Sequence, residues 1–226
     1  MALPSFLTRW LLPPAVVVAI GGAVMPPIST AQNATTQIDI SRMNLGLAPD
    51  DFTFWRTGEG EAGQWSVVAD PTAANGRAIA QVSKDRTDYR FPLAIYKPYS
   101  GKDLEVSVRF KAVAGTVDEA GGVAVRLLTP GDYYIARANA LEDNVRFYRV
   151  VKGKREQLAG ANLKVSANAW HTLALRAEGD RFTVSFDGKV LLSAQDRTFP
   201  DAGKVALWTK ADSVTYFDTI SIMTLK

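Results

Sequence analysis

The sequence has no cysteine and a single histidine in 226 residues. No disulfide can brace it, and zinc sites that need several nitrogen or sulfur donors are excluded. A hydrolytic triad would have to use His171, yet no G-x-S-x-G elbow accompanies it. Beside Trp170 at the start of a strand, His171 reads as a packed or hydrogen-bonded edge residue. Charge of one sign is not in large excess either, with 26 Lys+Arg against 23 Asp+Glu. Composition therefore gives no reason to expect binding to nucleic acid or anionic lipid. No stretch carries apolar residues at i, i+3, i+4 and i+7 behind a cap, so no helix is expected.

Long hydrophobic runs are also scarce. Trp10–Val24 is uncharged, but it is shorter than the roughly 20 residues a membrane crossing needs and is interrupted by Pro13, Pro14, Gly21 and Gly22. It follows the basic Arg9 and precedes small residues ending at Ala31. That order of basic, apolar and small-residue regions predicts a secretory signal peptide over 1–31, cut after Ala31. The expectation is an exported protein, periplasmic or extracellular, whose mature chain does not insert in a membrane.

What remains reads as a polar lead-in over 32–50 and one domain over 51–226, long enough for a full core. Leu104, Val106, Val108 and Phe110 alternate with Glu105, Ser107, Arg109 and Lys111; Phe182, Val184 and Phe186 alternate with Thr183, Ser185 and Asp187. Period two means strands with one buried and one wet face. Asp187-Gly188 suits a type I′ hairpin turn, Gly153 divides a second pair of runs, and Asn75-Gly76 closes a third turn. Many short strands with turns every 8–12 residues predict an all-β sandwich or barrel. Gly58-Glu59-Gly60-Glu61-Ala62-Gly63 matches G-x-G-x-x-G, but a strand pattern follows it and two glutamates would repel a phosphate, so it reads as a turn.

Several segments together resemble the concanavalin A-like lectin/glucanase superfamily, with laminin G-like and 3-keto-disaccharide hydrolase domains as near relatives. They are Asp118–Arg126, Gly131–Arg137, Trp170–Leu173, Gly179–Phe182 with the Phe186-Asp187-Gly188 hairpin, Gly203–Thr209 and Val214–Ile222. The resemblance implies a two-sheet antiparallel jelly roll with ligands in the groove of a concave sheet. It does not fix function, because one fold hosts lectins, hydrolases and plain interaction modules.

A glucanase needs carboxylates on alternate residues of one strand, flanking the sugar. Neither Glu-x-Asp-x-Glu nor its longer variant is present, and the adjacent pairs Asp118-Glu119 and Glu142-Asp143 read as solvated loop charges. No catalytic residue is assigned. Parity instead turns Arg126, Trp208 and Lys210 away from the core, with Tyr134, Arg137 and Asn139 on a neighbouring strand. An aromatic ring beside cations and amides is how a sugar is held, so these six are the expected glycan-binding residues; Tyr134 and Arg137 have opposite parity and share a face only across a bulge. Asp218, polar inside an apolar last strand, is the candidate ligand of a structural calcium, against the alternative of a carboxylate bonded to backbone. The leading expectation is a non-catalytic glycan-binding or interaction module. A sugar hydrolase and a structural envelope protein are the alternatives, and the last predicts a groove filled by its own side chains.

Overall fold

The computed structural model describes Met1, Ala2 and Ala34–Lys226; residues 3–33, which hold most of the expected signal peptide, lie outside the described residues. Alternating sequence becomes strand throughout. The elements are β1 Thr35–Ile38, β2 Phe52–Gly58, β3 Trp65–Ala69, β4 Arg77–Gln81 and β5 Arg90–Tyr96. There follow β6 Leu104–Ala114, β7 Ala120–Thr129, β8 Asp132–Asn139, β9 Asn144–Val151 and β10 Lys154–Asn162. The last are β11 Trp170–Glu178, β12 Arg181–Phe186, β13 Lys189–Gln195, β14 Lys204–Thr209 and β15 Val214–Thr224. No helix of the described residues is long and apolar enough to cross a membrane.

The strands form two antiparallel sheets, the expected all-β sandwich. One has the order β13-β12-β11-β6-β15-β4-β3, with β1 added on β15; the other runs β10-β9-β8-β7-β14-β5-β2. The turns behave as their residues dictate. Asp187 and Gly188 both take positive φ (47° and 77°), as do Lys152 and Gly153 (49° and 79°), the geometry of a type I′ turn that carries one strand back along the next. Val106, Val108, Phe110, Phe182, Val184 and Phe186 enter the core between the sheets, while Glu105 and Thr183 stay partly exposed on the other face.

The segment 32–50 is more than a polar lead-in. Thr35–Ile38 pairs with Ile220–Met223 of β15, and Ile38 and Ile40 enter the core. Its strand was hidden because three of its four residues face solvent, so it shows no alternation.

Candidate functional site

The outer face of the seven-stranded sheet is concave. Contacts reach across its width: Tyr89, just before β5, donates its hydroxyl to the carbonyl of Gly153 in the β9–β10 turn at 2.9 Å, and Thr57 of the edge strand β2 bonds to the carbonyl of Pro130 in the β7–β8 turn near the middle of the sheet. Strand parity sets Trp55, Phe91, Leu93, Ile95, Ala124, Tyr133, Ile135, Arg137, Asn139, Tyr148, Ala206 and Trp208 on this face.

One half of that groove is filled by the protein itself. Phe91, Leu93, Ile95, Tyr133, Ile135, Val150 and Trp208 form a second apolar cluster, separate from the core between the sheets. Trp208 lies on the expected face, but it is 0% exposed. Its ring stacks on Phe91 at 5.4 Å, its Nε1 donates to the Tyr133 hydroxyl at 3.3 Å, and the Arg155 guanidinium covers both rings. No sugar can stack on a ring so enclosed, which corrects the expectation for Trp208.

Two further expected residues face the other way. Arg126 adopts φ 48° at a bulge between β7 and its neighbours, and that extra residue inverts the alternation. Leu127 therefore joins the groove cluster, and Arg126 turns to the inner side, over the Phe182 ring and 1% exposed. It donates to the carbonyls of Lys102, Phe199 and Gly179 at 3.1, 2.9 and 2.6 Å. Tyr134 is a core residue packed on Phe147, Phe182 and Phe199, with its hydroxyl donating to Asp196 at 2.6 Å and burial pushing its pKa up to about 12.

The remaining three expected residues converge. Asn139 Nδ2 donates to Asp118 Oδ1 at 2.9 Å, and Lys210 Nζ reaches both Asp118 and Asp88 at 2.8 Å. Arg137, at the next outward position of β8, donates to Glu142 at 2.9 Å and to the Tyr148 hydroxyl at 3.2 Å, and also bonds Asn144. The Asn139–Asn144 hairpin turn brings Glu142 and Asn144 over Arg137. Gly122 sits between Trp208 and Arg137 in the cross-strand row, where a Cβ would lie 2.9 Å from Arg137 Cβ; glycine there leaves the arginine its place.

Electrostatics separates the carboxylates. Burial pushes the Asp118 carboxyl above its ordinary range despite Lys210, whereas Asn144 and Arg137 outweigh burial and hold Glu142 below it. Burial works against the charge of Lys210, but Asp118 and Asp88 offset it and raise the ammonium. Asp118 and Glu119 are buried, which corrects their reading as solvated loop charges. The Glu142 side chain, 46% exposed, forms the open rim of the cluster. Alternating donors and acceptors at such a rim suit hydroxyl groups, each of which can donate once and accept twice.

Asp218 lies apart on the other sheet. Its Oδ2 accepts the Ala74 backbone N–H at 2.7 Å, and Arg109 faces its Oδ1 at 3.5 Å. The backbone donor at Oδ2 and the cation beside Oδ1 favour a carboxylate bonded to backbone over a calcium ligand, which needs a shell of oxygen atoms. His171 is packed against the rings of Phe110 and Phe186 and bonded to Asp187 at 2.8 Å, at the start of a strand that lies inside the sheet rather than at its edge.

A family model described as the galactocerebrosidase C-terminal lectin domain matches residues 99–225. A levanase of Bacillus subtilis (strain 168) is 29% identical over 68 residues, a stretch covering 30% of this chain and 10% of the levanase. The carbohydrate-binding module CBM66 of Bacillus subtilis superimposes with a TM-score of 0.58 at 21% identity, covering 76% of this chain and 96% of that one. A Bacteroides ovatus GH16 protein of a mixed-linkage glucan locus gives 0.56 at 12% identity, covering 80% and 98%. These likenesses are of fold, and they agree with the concanavalin A-like sandwich expected from sequence.

Proposed function

Because the chain belongs to the family of the galactocerebrosidase C-terminal lectin domain, we propose that it is an exported, non-catalytic glycan-binding module that holds its ligand at the polar end of the concave face. The observation that carries this reading is the convergence of the buried Arg137, Asn139, Asp118 and Asn144 beneath a rim that Glu142, Tyr148 and Lys210 open to solvent. The names of the relatives, a carbohydrate-binding module and a lectin domain, support it. A sugar at this rim would meet the Glu142 carboxylate as an acceptor and the Arg137 guanidinium as a donor, beside a Tyr148 ring that Arg155 already covers.

A glycan array followed by calorimetry on the best hit tests this. Arg137→Ala should weaken binding at least tenfold, since truncating one buried, charge-assisted partner costs about 1.5–3 kcal/mol. Unchanged affinity in that variant would move the site elsewhere. The export part of the reading is checked by intact mass, which should show a mature chain beginning at Gln32.

One observation favours a second reading. Two carboxylates whose environments push their pKa values apart are what a glycosidase uses as acid and base, and Asp118 and Glu142 are displaced in opposite directions. Against it, both Asp118 oxygens are already engaged, by Asn139 and Lys210. Turnover of a glycoside, abolished by Glu142→Gln, would replace the binding module with a hydrolase.

A further inference from the structure

We propose that Asp212 is the positioning residue of the glycan site: it never touches the sugar, but fixes the loop that presents Asp118. The loop between β6 and β7 is wrapped around this one carboxylate. Asp212 Oδ2 accepts the Thr116 backbone N–H at 2.9 Å and its hydroxyl at 2.7 Å; Oδ1 accepts the N–H groups of Val117 and Asp118 at 2.9 and 3.1 Å. Three consecutive amides thus converge on one buried anion, a backbone nest occupied by the protein's own side chain.

The same short segment supplies the cation. Lys210, two residues earlier, meets the Asp118 side chain at 2.8 Å, and Ser213, one residue later, accepts the Ala120 N–H at 3.0 Å while donating to the Lys210 carbonyl at 2.5 Å. Asp118 is therefore held at its backbone by Asp212 and at its carboxylate by Lys210, from a single turn of chain. That turn is itself anchored, because the Arg90 guanidinium donates to the Ala211 carbonyl at 2.5 Å. The loop has no slack of its own: a Cβ on Gly115 would lie 1.8 Å from the Asp118 carbonyl oxygen. Asparagine at 212 would keep one acceptor oxygen but turn an amide against the N–H groups the other oxygen now receives. Asp118 would then leave Asn139, and the floor under Arg137 and Lys210 would lose its register.

This inference rests on the glycan-binding reading, and its test separates the two. In Asp212→Asn, glycan affinity should fall at least tenfold, while Val184→Ala, on the other sheet and chosen for a similar loss of melting temperature, should leave affinity within about twofold. By NMR, without any ligand, the Asn139 side-chain amide protons should shift and exchange faster in Asp212→Asn and stay put in Val184→Ala. Should Asp212→Asn not fold, Thr116→Val removes only the hydroxyl bond and should give the same pattern at smaller size. An Asn139 amide that does not move, or an affinity that follows stability alike in both variants, overturns the positioning role. If the wild-type protein binds no glycan, the functional reading falls and the Asn139 signal alone decides the role of Asp212.

Discussion

Replacing Trp208 by alanine lowers the stability of the domain by about 3–5 kcal/mol, the expected cost of deleting a fully buried aromatic ring. Trp208 is stacked on Phe91, bonded to Tyr133 and covered by Arg155. Its removal opens a cavity in the second apolar cluster, and the Tyr133 hydroxyl keeps only its contact with Thr57, at 2.9 Å. For a domain of this size the melting temperature should drop by roughly 6 °C or more, since each kcal/mol is worth about 2–4 °C. Denaturant unfolding measures the loss directly. A cost under about 1 kcal/mol, with weaker glycan binding, would restore Trp208 to the ligand.

Arg126→Met should be of similar size, about 3–5 kcal/mol, for a different reason. The substitution keeps an apolar stem over Phe182 but leaves the carbonyls of Lys102, Phe199 and Gly179 without their donors. A buried acceptor stripped of its partner costs about 1–3 kcal/mol, and three of them share one guanidinium, so the costs add only in part. Glycan affinity measured well below the melting transition should be unchanged. A stable variant with lost binding would contradict the inward placement of Arg126.

The contrast between these two residues and Arg137 marks what the sequence could reveal. Alternation along β6 and β12 is a local property, and local sterics carry it into the fold, so Phe110 and Phe186 are where their parity puts them. Parity also named the correct face for Trp208 and Lys210, while on β8 it left Tyr134 and Arg137 as alternatives that the structure resolves by turning Tyr134 into the core. Whether a face is open or filled depends on side chains from distant strands, here Arg155 and Tyr133, and no spacing reports that. At Arg126 even parity failed, because a non-glycine residue at positive φ inserts a bulge without any glycine or proline to announce it. Asp118 was hidden for a chemical reason: an acidic pair in a turn is ordinarily solvated, as Glu142 still largely is, and only Asn139 and the Lys210 turn, brought in from elsewhere in the chain, make the burial of Asp118 tolerable.

Strand order carries a consequence for how the molecule comes into being. β15, last in the chain, lies between β6 and β4, and β14 lies between β7 and β5. Each sheet is thus two separate flaps until Lys204–Thr224 arrives to zip them together. A polypeptide threaded N-terminus first through a narrow conduit cannot close either layer while those residues are still inside. If the chain is exported as proposed, both layers stay open until Lys204–Thr224 is free, and the non-local pairing that closes them sets a slow pace for that step.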